Sequence, residues 1–479
     1  MSKKLQWSKI TKTNINSTNT MKILSRTPSL SMVVSYFIFL LSVIILSSAN
    51  YRYFIEDMND SLYVRLSALS LVLFVLSIIL LLVRRETRLN IFLTIFSLVI
   101  GVYIVEIFLQ FLYFGSINTQ QKEHIPNFDN RSIYQVVEEF KKDSINVVPR
   151  VAPMTFLSTN GVIGVNTFSA LIPLGGISQT KTILCNETGK YVFYDSDKHG
   201  FNNSNNVWNN SDKGWVLVGD SFTHGACVEP AHNIAGRLNN QLDNKVVNLG
   251  YSGNGPILNL ASLIEYANTI KPEKVFWFYC EGNDLTDLEK ELESSLIVQY
   301  LQDGFSQDLI KKQVKIDKAL ISHVELGQFL NQEKKIKKKQ NFLKTGVNDI
   351  KRILRLYNIR EKLNLRSYFS TVPEEFQSVI ERAKSVVSSW GGELYFVYLP
   401  TYLRYSSLVE NHDAYNHKSE IAKIVKDANI PVIDMHEEVF AKHDDPLSLF
   451  PFRLNGHYTP EGYKLISNSV LNFITNNEL

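Results

Sequence analysis

Three long apolar runs crowd the first quarter of this 479-residue chain and restrict what it can fold into. Ser31–Ser48 and Leu66–Val83 carry no charged residue, and Ile91–Phe114 carries one, Glu106. At about 1.5 Å per residue, roughly 20 helical residues cross a ~30 Å hydrocarbon layer, and all three runs are about that long. The runs therefore predict three transmembrane helices over 31–114, behind a basic cytoplasmic N-terminus, 1–30. Lys3, Lys4, Lys9, Lys12, Lys22 and Arg26 stand there without a single acid. The first link sets Glu56, Asp57 and Asp60 against Arg52, and the second sets Arg84, Arg85 and Arg88 against Glu86. By the positive-inside rule, the N-terminus and the second link are cytoplasmic. An odd number of spans then puts everything after about residue 115 outside. The expected location is the cytoplasmic (inner) membrane, multi-pass, with the C-terminal domain facing the periplasm or cell exterior. A cleaved signal peptide ending at Ser47-Ser48-Ala49 is the competing reading. It leaves the same topology, and the long basic lead argues against it. Glu106, near the outer end of its run, is read as snorkelling to the interface; contact with a membrane partner is the alternative for Glu106 and Gln110.

The net charge of +3 and the even mix of acid and base argue against a nucleic-acid partner. Residues 115–214 read as a strand-rich connector outside the cytoplasm. Val147–Tyr194 is rich in Thr, Val and Ile, with Gly-Gly and Asn-Glu-Thr-Gly breaks that suggest short strands and hairpins. From residue 215 to 479 the pattern alternates. Apolar strands at Trp215–Gly219, Lys245–Leu249, Lys274–Tyr279, Glu393–Leu399 and Ile430–Met435 are separated by helices such as Ala231–Leu242, Pro256–Ile270 and Pro460–Asn476. Such alternation implies an α/β domain, a parallel sheet with helices on both faces. A helical stretch, 285–372, interrupts it and is basic around Lys334, Lys335, Lys337, Lys338 and Lys339. It reads as an insertion over the carboxyl end of the sheet. Its basic part is a solvated helix face or a hold on an acidic polysaccharide or lipid headgroup.

Four segments in this part carry chemistry. Trp215-Val216-Leu217-Val218 runs into Gly219-Asp220-Ser221, which sets a hydroxyl at the carboxyl end of a strand, where open α/β sheets bind ligands. Asn248-Leu249-Gly250-Tyr251-Ser252-Gly253 turns a second strand through glycines, where a backbone N–H can approach a reacting carbonyl. Tyr279-Cys280-Glu281-Gly282-Asn283-Asp284 ends a third strand with an amide that can donate another hydrogen bond. Gly456-His457-Tyr458-Thr459-Pro460 sets a histidine before the last helix. A serine becomes a nucleophile when a base takes its proton and donors hold the oxyanion it creates. Neither a zinc-spaced Cys/His cluster nor a nucleotide-binding glycine loop occurs, so no metal and no cofactor are expected.

These blocks, in this order, resemble the SGNH hydrolases, also called GDSL-like lipases and esterases. The four signature residues match Ser221, Gly253, Asn283 and His457. The resemblance implies a flavodoxin-like three-layer fold and acyl-ester chemistry. Ser221 would attack the acyl carbon, and His457 would act as base and then acid. Gly253, Asn283 and the Ser221 amide would form the oxyanion hole. The family's aspartate two or three residues before the histidine is missing, since Leu454 and Asn455 stand there. Asp445, upstream in Lys442-His443-Asp444-Asp445-Pro446, is the candidate third member, with a Ser–His dyad left open. His224 is expected to line the pocket, and His232, His323 and His443 to lie at the surface.

Cys185, Cys227 and Cys280 are the only cysteines. Outside the cytoplasm a Cys185–Cys227 bridge would tie the connector to the segment behind Ser221, leaving Cys280 a buried thiol. The expected function is a membrane-anchored esterase acting on O-acyl, most plausibly O-acetyl, esters of cell-surface or exported glycans. An O-acyltransferase served by a membrane acyl-donor partner is the first alternative, and a non-catalytic glycan-binding scaffold the second.

Overall fold

The structure is a computed structural model that describes residues 30–54, 61–116, 125–159, 171–209, 214–243, 245–337, 350–363, 372–406 and 417–477. The lysines and the arginine of the N-terminal segment, the acids Glu56, Asp57 and Asp60 of the first link, and Lys338 and Lys339 lie outside the described residues. The chain divides into two compact units, Met1–Val105 and Glu106–Leu479.

In the first unit the apolar runs form α1 (Leu30–Phe54), α2 (Ser61–Leu82) and the start of α3 (Arg85–Ser116). The seam of the α1–α2 pair holds small residues at heptad spacing, with Ser35, Ser42, Ser70 and Ser77 all buried. Small side chains let two helix backbones approach closely. The hydroxyls of Ser42, Ser70 and Ser77 donate to the carbonyls of Phe39, Ser67 and Phe74, so none is left unsatisfied in the seam. Among the described residues one helix, Arg85–Phe111, is long and apolar enough to cross a membrane. The apolar helical stretches Met32–Ser48 and Leu66–Leu82 are shorter.

The second unit holds two sheets. In the smaller, β1 (Val147–Pro149) pairs in parallel with β2 (Lys181–Cys185), and β2 pairs antiparallel with β3 (Val192–Asp195). Helix α4 (Ile133–Lys142) packs on β1. It starts at a capping box in which Ser132 and Gln135 satisfy each other's backbone N–H groups.

The larger sheet is all parallel: β4 (Trp215–Val218), β5 (Val246–Asn248), β6 (Lys274–Cys280), β7 (Glu393–Leu399) and β8 (Val432–Asp434), in the order β5-β4-β6-β7-β8. Counted within the sheet this is 2-1-3-4-5, so the topological switch point lies between β4 and β6, where open α/β sheets bind ligands. All seven residues of β6 are buried, as a central strand covered on both faces requires. Its alternate side chains enter two cores. Val275, Trp277 and Tyr279 share one core with Val379 and Ile380 of the helix Glu374–Ser389, whereas Phe276, Phe278 and Cys280 share the other with Ile466 and Val470 of the last helix, Pro460–Asn477.

Residues 285–324, the first part of the segment 285–372 between β6 and β7, pack into the core: Leu288, Ile297, Tyr300, Leu309 and Leu320 are fully buried. Glu265 fixes them there. It sits in a π-helical turn, Leu263–Ala267, and accepts from Tyr300 Oη (2.7 Å), Ser306 Oγ (2.9 Å) and the Leu309 N–H (2.8 Å). Glu106 does not snorkel. Its carboxylate is buried within the second unit and accepts from the Asn358 N–H (2.9 Å), Asn358 Nδ2 (2.8 Å) and the Ile359 N–H (2.9 Å) at the start of the helix Tyr357–Lys362. Gln110 Oε1 accepts from the same Asn358 amide at 2.6 Å.

Candidate active site

Ser221 opens a one-turn helix, Ser221–His224, directly after β4. Asp220 caps that turn, its Oδ1 accepting the Phe222 N–H at 2.9 Å. The last helix begins at Pro460, and the loop before it delivers His457. The two side chains meet: His457 Nε2 lies 2.7 Å from Ser221 Oγ.

The carboxylate behind His457 is Glu187. Its Oε1 and Oε2 lie 3.0 and 3.1 Å from His457 Nδ1, and Oε2 also accepts the His457 backbone N–H at 2.7 Å. The arrangement Ser221–His457–Glu187 has the connectivity of a Ser–His–acid triad, with the acid on the turn between β2 and β3. Asp445 is elsewhere. Its carboxylate pairs with the exposed Arg453, and its N–H donates to His443 Nδ1 at 3.0 Å. Asp445 is therefore not the third member; Glu187 occupies the place beside His457 Nδ1. Glu187 lies inside the Asn-Glu-Thr-Gly turn signal, which does not mark it as a site residue. A usable cue was the cysteine two residues before it, because Cys185 does bond to Cys227, six residues after Ser221.

Electrostatics suit a base. Burial pushes the His457 imidazole down, but the Glu187 charge and hydrogen bond, with Asp220 adding to them, outweigh it and hold the imidazole above its ordinary value. Asp220 is pushed up to about 6, chiefly by burial, with the Phe222 N–H and His457 opposing.

The donors divide. Gly253 takes φ +85°, a conformation that favours glycine, and a Cβ there would come within 3.1 Å of Met154 Sδ. The Ser221 and Gly253 N–H groups donate to no other group among the described residues, so both are available to an oxyanion. The Asn283 amide is occupied: Nδ2 donates to Asp220 Oδ2 (3.1 Å) and to Asp287 Oδ2 (2.8 Å). A buried ion pair steadies the loop that carries it. Glu281 accepts from Tyr398 Oη (2.8 Å), the Thr401 N–H (2.9 Å) and Arg404 Nε (3.0 Å).

His224 does not line an open pocket. It is fully buried, stacks on Tyr251 at 4.4 Å, and burial holds it well below its ordinary pKa. Its Nδ1 takes the Ser252 N–H at 3.3 Å and lies 3.0 Å from Ser252 Oγ, which fixes the residue next to Gly253. Ligand atoms of Glu187, Cys227 and His457 lie within 4.8 Å of one another. They make a poor metal set. Cys227 offers no thiolate while bonded to Cys185, and both His457 ring nitrogens are engaged.

Fold and site together define a parallel-sheet α/β protein with a Ser–His–Glu constellation at the switch point. No protein-family model matches the chain, and no curated protein matches its sequence. Among solved structures it is similar to a protein assigned to the lipolytic G-D-S-L family from Desulfitobacterium hafniense DCB-2, with 17% identity over 54% of this chain and 98% of that one, at a TM-score of 0.29. It is also similar to the lipase/acylhydrolase from Enterococcus faecalis (12%, 55% and 96%, TM-score 0.29). A two-domain esterase active on acetylated mannans shares 13% identity over 57% of this chain, at a TM-score of 0.30. The match spans about half, 52%, of that esterase. At such identities and TM-scores the chemistry has to be read from this chain's own residues.

Proposed function

We propose that this chain is a membrane-anchored serine esterase of the SGNH type, acting outside the cytoplasm on O-acyl, chiefly O-acetyl, esters of surface or exported glycans. The observation that carries the chemistry is the unbroken contact from Ser221 Oγ through His457 to Glu187. As Ser221 Oγ attacks the acyl carbon, its proton passes to His457 Nε2. Glu187 holds the Nδ1–H tautomer and stabilises the imidazolium that forms. The Ser221 and Gly253 N–H groups take the oxyanion. His457 then protonates the departing sugar hydroxyl, and an activated water hydrolyses the acyl-enzyme. A positioned base of this kind contributes about 10²–10⁴ in rate.

Glu187 beside His457 supports the enzyme reading over a non-catalytic scaffold. The membrane part of the proposal is supported by α3 and by the apolar side chains that α1–α3 leave exposed, such as Leu40, Ile44, Phe96 and Phe111. The glycan part rests on the expected topology and on the SGNH resemblance that the four blocks carry.

The test is labelling of the full chain by a fluorophosphonate and hydrolysis of p-nitrophenyl acetate, beside Ser221→Ala and His457→Ala. Both activities should vanish in both variants. A folded wild-type chain that neither labels nor hydrolyses would remove the esterase reading. Adding an acetyl-accepting oligosaccharide separates hydrolysis from transfer, since a transferase would yield acetylated sugar at the expense of acetate.

A further inference from the structure

The turn that carries Glu187 is not part of the five-stranded sheet that positions Ser221. It belongs to the connector, where the Asp129 N–H donates to Gly189 O at 2.8 Å and Asn186 Nδ2 donates to Asp129 O at 2.8 Å, and it meets the site through the His457 N–H, which donates to Glu187 Oε2 at 2.7 Å. A carboxylate placed from a separate small sheet has to be held against the thermal motion of that sheet, and displacements near 1 Å can cost ~10² in rate. The disulfide adds a covalent hold to that hydrogen bond. Cys185 ends β2 two residues before Glu187, and Cys227 follows the Ser221–His224 turn. Cys227 Sγ lies within 4.8 Å of the ligand atoms of both Glu187 and His457, so the bridge abuts the acid–base pair.

We propose that the Cys185–Cys227 disulfide is a positioning device for the triad, which keeps Glu187 on His457, and that opening it disconnects the acid from the base. This rests on the serine-esterase reading. The consequence is a triad that is complete only in oxidised protein, which ties activity to an oxidising compartment. Opening the bridge requires two electrons. A phosphine reductant supplies them, becoming its phosphine oxide with the oxygen of one water, while the two water hydrogens end on the two thiols.

The groups that act on His457 are Glu187 and Asp220, which raise its proton affinity, and Arg150 and burial, which lower it. Loss of Glu187 alone therefore moves its titration to lower pH. A merely structural bridge would lower the melting temperature and leave that titration in place.

The experiment uses the full chain in detergent or nanodiscs, as wild type, Cys185→Ser/Cys227→Ser, Glu187→Gln, and the three substitutions combined. The first readout is the pH midpoint of His457 carbethoxylation by diethyl pyrocarbonate, which attacks neutral imidazole, followed by mass spectrometry. The second is the rate of fluorophosphonate labelling of Ser221. The expected result is a lower midpoint and at least tenfold slower labelling without the bridge. Removing the bridge should add nothing once Glu187 is Gln. If the cysteine pair variant misfolds, reduction of wild type by the phosphine and reoxidation must lower and restore the labelling rate. A folded bridgeless protein with wild-type midpoint and rate overturns the proposal, as do losses that multiply in the combined variant. Absence of Ser221 labelling in oxidised wild type strikes the esterase reading instead, and the His457 midpoints still decide the coupling.

Discussion

Glu187 reaches His457 partly because residue 456 is glycine. A Cβ at Gly456 would stand 2.7 Å from Glu187 Oε2. Gly456→Ala should therefore push the carboxylate off Nδ1 and lower kcat about 10²-fold with little change in KM, as steady-state kinetics on a soluble ester would show. An unchanged kcat would mean that the loop yields without moving Glu187. The raised proton affinity of His457 gives a sign to the pH profile. A base works unprotonated, so kcat/KM should rise with pH, with its midpoint above the ordinary imidazole value. A midpoint below that value would contradict the ion pair with Glu187. At this scale the sequence shows the serine, the glycine, the asparagine and the histidine because each lies within a few residues of a strand end or a helix start. The acid was hidden, since its position depends on a disulfide that joins residues 42 apart, and a lone Glu in a turn looks like solvent-facing punctuation.

Among the elements, the ends of β6 and β7 are clamped by Glu281 and Arg404, whose side chains are 0% and 6% exposed. Removing one partner of such a pair leaves an uncompensated buried charge, at a cost of about 3–5 kcal/mol. Arg404→Met should lower the melting temperature by several degrees and slow Ser221 labelling, because the same loop carries Asn283 and Asp284. A variant with wild-type stability would show that this clamp is dispensable. The strands were legible because buried parallel strands are continuous apolar runs. The apolar run Ile430–Met435 predicts a longer edge strand than β8, which covers only Val432–Asp434, since an edge pairs on one side alone. The helix read as Pro256–Ile270 is interrupted by a π turn set by the tertiary role of Glu265, which local spacing does not encode. The burial of 285–324 is less legible, because the helices Asp284–Leu292 and Gln313–Lys337 are separated by short 3-10 turns, Ile297–Leu301 and Leu309–Lys312, whose place depends on Glu265.

For the whole molecule, the proposal divides the chain between a membrane part and a catalytic part that depends on an oxidising environment. The charge asymmetry of the links predicts opposite sides for the two ends of α3. A reporter active only outside the cytoplasm should work when fused after residue 479 and fail when fused at Arg84. The reverse pattern would place the site inside and take away the glycan reading. The sequence made the class of the larger sheet legible, because parallel strands impose a repeated strand–helix rhythm. It did not reveal that the connector contributes to the site, because that requires knowing which surfaces the smaller sheet meets.

The most direct measurement compares fluorophosphonate labelling rates of Ser221 in Glu187→Gln and Asp445→Asn, side by side with wild type. The account predicts a fall of about 10²–10⁴ for Glu187→Gln and a wild-type rate for Asp445→Asn. A wild-type rate in Glu187→Gln, or a comparable fall in Asp445→Asn alone, would contradict it.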